Sequence, residues 1–502
     1  MNRLFLLFNL FCLTTVASAG DIIVNNGGSI HEALRQAREW RRLADPRCEG
    51  GINIILQTGR YYMNEPLFIR PEDSGTSSSP TIIRGEEGAI LCGDPMQRHT
   101  QLFPQEGMLP LSAFDTEHRT MTIPTPPKSV LRQKNIEMVV HQRWATAILR
   151  VKEMKVQGEE TVVSFLEPES RLEFEHPWPQ PVIGGEKGNS SFLLRTTEQR
   201  DGIERLLTIC GTEETPVSYL SFENITFEHT CWNRPLHQGH VTLQGGFPII
   251  DAYKLRQEGL PWAASLENQA WIERPVAAVS VSWAHHVDFT NCRFRELGST
   301  ALDYVIGIAD CAVRDNVFTD IGGTAILAGS FAESPLEVHR PYTHLAPLCQ
   351  RLTISGNTIT GASAEDWGAM GIGCGYVRDV VISGNQVSHV NYSGICVGWG
   401  WTPLYTGMEH NHIIGNKVTD YARQLYDAGG IYTLSNQPGS SIRDNEISAP
   451  HPAPYATNDR AFHIYLDAET DGYTIEGNQC DGQPVGREQT GFNHPGGHLI
   501  FR

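Results

Sequence analysis

Acidic side chains beside aromatic ones carry the first chemical signal in this sequence. Asp427 stands in "LYDAGGIY" (425–432), where Ala428, Gly429 and Gly430 make a bend permissive, and Asp467 ends "HIYLD" (463–467). Two carboxyl groups flanking a bound sugar are the usual equipment for cutting a glycosidic bond. One protonates the leaving oxygen while the other attacks or activates water. Aspartates also flank turns in many β proteins, so the types alone decide nothing. "AEDWGAM" adds Glu365 and Asp366 as competitors, with Asp303 and Glu469 weaker ones.

The surroundings favour a sugar. "NYSGICVGWGWTP" (391–403) concentrates Tyr392, Trp399 and Trp401 among glycines, and Tyr432, His463 and Tyr465 lie on the aspartate segments. Exposed flat rings stack on the C–H faces of sugars, with polar groups taking the hydroxyls. Gly394 and Gly398, with little bulk, are expected to lower a groove floor whose walls are Trp399, Trp401 and the tyrosines. "FEHTCWNRPLHQGH" (227–240) supplies further candidates for sugar contact, His229 and Trp232. His229, His237 and His240 show no metal-ligand period with a partner acid, and His389 reads as a turn or core histidine, so no metal or other cofactor is expected.

These residues work only if strands bring them together, and a repeat does so. "LTISGNTI" (352–359), "VVISGNQV" (380–387), "HIIGNKV" (412–418), "SIRDNEI" (441–447) and "YTIEGNQC" (473–480) each pair an alternating run with an asparagine. Asn357, Asn385, Asn416, Asn445 and Asn478 are separated by 28, 31, 29 and 33 residues. "LSFENITF", "VDFTNCRF" and "CAVRDNVF" extend the series upstream. A second series falls between them: "STALDYVIG", "GTAILAG", "GAMGIGCG", "YSGICVG", "AGGIYTL" and "AFHIYLD". Coils with two short strands, tight turns and no crossover helix stack into an all-β parallel β-helix. The asparagines suit bends, where they tolerate left-handed geometry, and stacked copies can bond one another.

Register then orders the candidates. Aligning "GGIYTL" on "FHIYLD" matches Ile431 with Ile464 and Tyr432 with Tyr465. With Ile464 and Leu466 inward, His463, Tyr465 and Asp467 face out together. Asp427 precedes Ile431 by four residues, whereas Asp467 follows Ile464 by three. Straight strands would hold them about 23 Å apart at roughly 3.3 Å per residue, so the chain must fold Asp427 back.

Outside the repeat, "SIHEALRQAREWRRLADP" (29–46) has helical spacing after Ser29 and is expected to shield the open end of the solenoid. Residues 93–205 lack the asparagine repeat and read as an inserted β domain. The solenoid then occupies 20–92 and 206–502, with a long loop at 232–275. Residues 1–19 have a basic start, an apolar core and a small-residue cleavage site near Ala19, the pattern of a secretory leader. No later run approaches the about 18 apolar residues of a membrane span. The expectation is an exported monomer, periplasmic or extracellular, that touches no membrane.

The chain has 39 Lys and Arg against 57 Asp and Glu, a net charge of −18, which opposes nucleic-acid binding. The cysteines follow no zinc spacing. Cys292, Cys374 and Cys396 lie in apolar runs and read as buried thiols.

"HVNYSGICVGWGW", "DAGGIYTL" and "IYLDAET", in this order, resemble glycoside hydrolase family 141, as do "SIHEALRQARE", "PEDSGTSSSPTIIRGEEGAILCG" and "FEHTCWNRP". The resemblance implies a secreted right-handed β-helix acting on plant cell-wall polysaccharide, with fucosidase-like or xylanase-like activity. It also implies that the catalytic pair is the aspartate before the Gly-Gly-Ile-Tyr strand and the one ending the next coil's strand, Asp427 and Asp467. That choice sets Asp366 aside as an acid and leaves it among the substrate contacts. The family's Gly-Glu-Trp-Tyr stretch at the end of the insert is replaced here by "FLLRTTEQRDGIERLLTICG" (192–211). Two other readings compete. A β-helical polysaccharide lyase needs a strong base, and Arg423, Arg443 and Arg460 fall outside the aromatic strands. A carbohydrate-binding solenoid without catalysis would be indifferent to loss of Asp467.

Overall fold

The computed structural model describes residues 19–93, 100–102, 108–176, 179–197, 201–251, 271–331, 337–338, 347–451 and 460–502. The leader read at residues 1–19 lies outside them except for its last residue. Strands dominate. A 23-stranded and an 11-stranded sheet run the length of the chain, with parallel pairing throughout except one terminal antiparallel pair, Gln479–Cys480 with Gln483–Pro484. Long parallel ladders between successive coils are the hydrogen-bonding pattern of a β-helix.

The interior is a set of in-register stacks. Ile326, Ile372, Ile395, Ile431 and Ile464 pair strand to strand and are fully buried. Phe227, Phe294 and Phe318 stack face to face at 4.9 and 4.6 Å. Burying each such side chain contributes roughly 1.5–3 kcal/mol, and every copy sits on the next. Cys292, Cys374 and Cys396 are buried free thiols.

The asparagine repeat forms a ladder inside the wall. The Nδ2 of Asn316, Asn357, Asn385, Asn416 and Asn445 each donates to Oδ1 of the asparagine one coil on, ending at Asn478. The same Oδ1 atoms accept the preceding asparagine's backbone N–H at 2.9–3.0 Å. The left-handed residue of each bend is the one before, Gly356, Gly384, Gly415, Asp444 or Gly477, and not the ladder asparagine as the sequence suggested. Upstream the motif is offset. Asn224 and Asn291 are themselves left-handed, and Cys292 N–H donates to Asn316 Oδ1 at 2.8 Å in place of a ladder asparagine.

A helix spans Ile30–Arg42, with Ser29 Oγ accepting Glu32 N–H, and buries Ile30, Leu34 and Trp40 beside the first strands. A separate 9-stranded antiparallel sheet is drawn from residues 100–197 plus His240–Val241. The stretch read as one long loop, 232–275, contains a short helix, Arg234–Gln238, and strands Ile249–Asp251 and Trp271–Ile272 where it is described.

Candidate active site

Strand Ala428–Thr433 pairs in parallel with Ala461–Leu466, placing Ile431 against Ile464 and Tyr432 against Tyr465. The isoleucines point inward. The two tyrosines meet edge to face at 5.2 Å, and each then reaches for a different coil's aspartate. Tyr432 Oη donates forward to Asp467 Oδ2, and Tyr465 Oη donates back to Asp427 Oδ1 at 2.9 Å. The offset that separates the aspartates along straight strands is spanned by these crossed phenols. The chain contributes too: Asp427 is left-handed, at φ 58°, a geometry that aspartate tolerates better than most. Its backbone carbonyl accepts the Tyr392 hydroxyl at 3.1 Å.

The carboxyls have different environments. Asp467 is 7 % exposed and takes donors on both oxygens, from Tyr432 and from Asn493 Nδ2 at 2.6 Å. The Asp427 side chain is 17 % exposed at the rim, with Arg460 Nη1 at 3.5 Å. Burial and, after it, the negative charge of Asp467 push Asp427 up to about 6, against the smaller opposing pull of Arg460 and the Tyr465 hydroxyl. One carboxyl therefore keeps its proton into weakly acidic solution beside a second that is held by donors, the division of labour an acid and its partner need.

Gln244 orients this cluster from a distant part of the chain. Its Nε2 donates to Tyr392 Oη at 3.3 Å and to Tyr432 Oη at 3.1 Å, so the Tyr432 proton is left for Asp467. The antiparallel sheet buttresses the same place. Its hairpin of Ile136–Gln142 and Ala145–Gln157 turns at Arg143, whose carbonyl accepts Tyr426 N–H at 3.2 Å. His141, kept neutral by burial that lowers it to about 3, donates Nε2–H to Gln424 O at 3.0 Å. Trp144 Nε1 donates to Leu243 O beside Gln244.

Trp399 and Trp401 are corrections. Expected as exposed walls, they are 3 % and 6 % exposed. Trp399 packs on Trp401, Phe331 and Phe247 at 4.8, 4.9 and 5.2 Å. Tyr392, Tyr432 and Tyr465 are equally buried, and their hydroxyls, not their faces, serve the site. Gly394 does not lower a groove floor, whereas Gly398 lines a small cavity with Tyr392, Trp399 and Tyr432. A Cβ at Gly394 would stand 2.5 Å from Val418, and one at Gly430 2.4 Å from Ile447, so close core packing demands them.

The remaining candidates are engaged by other groups. His463 Nε2 meets Asp481 at 2.8 Å. His229 contacts Glu296 at 3.3 Å and, with Cys92 and Glu228, presents ligand atoms within 4.8 Å of one another. Arg60 and Arg295 already ion-pair with Glu228, so a cation there would face two guanidiniums. Trp232 is buried, and Asp366 pairs with His240 at 2.9 Å. Sequence reasoning missed Gln244 and Asn493 and placed Arg460 outside the site. Asn493 was accessible in principle: Leu466 pairs with Phe492, so Asn493 follows Asp467 in register. Gln244 had no such signal.

The model of the GH141 insertion domain matches residues 95–200. A solved structure described as "Glycoside hydrolase" superposes with a TM-score of 0.88 at 32% identity, covering 96% of this chain and 96% of that one. The chain belongs to glycoside hydrolase family 141. It is a glycoside hydrolase, and its substrate is a carbohydrate. A XylC complex with xylose (TM-score 0.43, 12% identity, 91% of this chain and 70% of that one) is far more distant. So is DFA-IIIase from Arthrobacter chlorophenolicus A6 in complex with GF2 (0.43, 10%, 92% and 76%), and neither bears on this site. No curated protein matches the sequence. Among the described residues no helix is long and apolar enough to cross a membrane.

Proposed function

We propose that this family-141 member is exported and hydrolyses glycosidic bonds in plant cell-wall glycans, with Asp427 as general acid and Asp467 as nucleophile or general base. The observation that carries the assignment is the crossed tyrosine pair, which ties carboxyls from consecutive coils into one electrostatically coupled unit. Protonation of Asp427 up to about pH 6 suits it to deliver a proton to the departing oxygen. Asp467, accepting from a phenol and an amide, suits attack on the anomeric carbon or on water. In this reading the helix at Ile30–Arg42 covers the first coil, residues 93–205 form an inserted domain that braces the acid, and the solenoid is right-handed.

Arg460 beside Asp427 gives a lyase reading one specific observation in its favour, a guanidinium at the site. It is held as the partner of a carboxylate, which opposes its use as a base. Reducing-sugar release from cell-wall oligosaccharides, with no rise in ultraviolet absorbance from unsaturated products, is the expected result for the hydrolase. Asp427→Asn and Asp467→Asn should each lower turnover by about 100-fold or more while melting as folded proteins. Full activity in either variant sinks the assignment, and unsaturated products favour the lyase.

A further inference from the structure

A second concavity lies two coils earlier than Asp427. Asp366 lies in the segment leading into strand Ile372–Cys374, six residues before it, and one strand, Ile395–Val397, separates that strand from Ala428–Thr433. Two steps at about 4.8 Å each put it roughly 10 Å along the axis from Asp427, with Asp467 one coil farther on. The cavity holds about 200 Å³ and is walled by Trp232, Arg234, His240, Pro248, Val276 and Asp366. His237 and Glu273, 58% and 51% exposed, set its mouth in solvent.

Its polar groups are only half used. His240 is 2% exposed, and its Nε2 meets Asp366 Oδ2 at 2.9 Å, while Asp366 Oδ1 accepts Gly368 N–H at 3.1 Å. The other ring nitrogen, Nδ1, is buried and has no hydrogen-bond partner among the described residues. Arg234 pairs through Nη1 with Glu273 at 2.6 Å, and its buried Nε likewise lacks a partner there. Buried polar atoms in this condition are costly unless a ligand or water meets them. Trp232 stands edge-on to His240 at 4.7 Å, and Pro248 and Val276 add apolar surface. Both guanidiniums in the wall are already taken, Arg234 by Glu273 and Arg274 by Asp303 in a two-pronged pair, and Glu204 and Asp366 add carboxyl groups. An anionic ligand gains nothing. Ring hydroxyls and a C–H face gain both kinds of contact.

One short loop joins the two places. Gln244 holds Tyr392 and Tyr432 at the carboxylate pair, and two residues on Gly246 lies against Asp366. A Cβ on Gly246, at φ +80°, would stand 2.8 Å from Asp366 Oδ2, so the close approach needs glycine.

We propose that this cavity binds one neutral pyranose residue of the substrate glycan, set apart from the bond being cut, so that the enzyme selects glycans carrying a sugar at that distance. The inference rests on the glycosidase reading above. Its test uses the full chain bearing Asp427→Asn and Asp467→Asn, probed by saturation-transfer NMR with D-xylose, L-fucose, D-galactose and D-glucuronate. At least one neutral sugar should bind this variant. Adding Arg234→Met, or Gln238→Trp to plug the exposed rim, should weaken that binding about fivefold or more, the loss of roughly one hydrogen bond. Gln238→Trp guards against a folding failure of the first. No neutral sugar bound, binding indifferent to both changes, or preference for glucuronate overturns the proposal. Turnover surviving in the paired asparagine variant would instead overturn the catalytic assignment.

Discussion

Tyr465→Phe isolates the contact that sets the proposed acid. The substitution keeps the ring that packs edge-on to Tyr432 and removes only the hydroxyl that donates to Asp427 Oδ1 at 2.9 Å. That bond favours the charged carboxylate, so its loss must raise Asp427 above its present value of about 6. A hydrogen bond to a charged group is worth about 1.5–3 kcal/mol, and a pKa unit about 1.36, which gives a rise of about one to two units. Water entering the vacated space favours the lower end. An acid works while protonated, so the alkaline limb of kcat/KM against pH should move from near 6 to about 7. The substrate must be an oligosaccharide with a sugar leaving group, followed by reducing ends, because an activated aryl leaving group departs without protonation. An alkaline limb that stays in place, or moves down, refutes the reasoning and removes Asp427 as the acid.

The raised Asp427 also costs stability. Its folded value of about 6 exceeds the ordinary 3.8, so the folded state binds this proton more tightly than the unfolded state. The penalty is full above pH 6, about 3 kcal/mol at 1.36 per unit, and fades as pH falls toward 4. Asp427→Asn should therefore melt higher than the parent at pH 8 and show little difference at pH 4; equal melting at both sinks the claim. Asn385→Ala should lose about 3 kcal/mol or more in denaturant unfolding, because Asn357 N–H, its Nδ2 and the Ile354 carbonyl all lose their partner inside the wall. Trp399→Ala should cost about 3–5 kcal/mol, since its indole fills space between Phe247, Phe331 and Trp401, and a change below about 1 kcal/mol would return it to the surface.

Much of this architecture is local in origin and could be read from the chain. Stacking of Ile431 on Ile464 and Tyr432 on Tyr465 follows from strand alternation and a repeat of about one coil, as does the ladder from Asn357 to Asn478. Each contact joins residues roughly one repeat apart, so the pattern itself states who neighbours whom. The strands that carry the aspartates were visible for the same reason, whereas the choice of Asp427 over Asp366 came from the family resemblance.

Exposure and long-range partners were not. Trp399 is covered by Phe247 and Phe331 and packs on Trp401, and Gln244 reaches Tyr432 from 188 residues away. Such segments belong to no repeat, and their placement depends on how loops and the antiparallel sheet close over the solenoid. Nor does alternation show how Asp427 approaches Asp467, because the crossed phenols that tie them appear only when both coils are stacked in three dimensions. A repeating sequence specifies which strands pair, since pairing recurs with the period. What covers the strands, and which atom each hydroxyl meets, is decided by contacts that have no period at all.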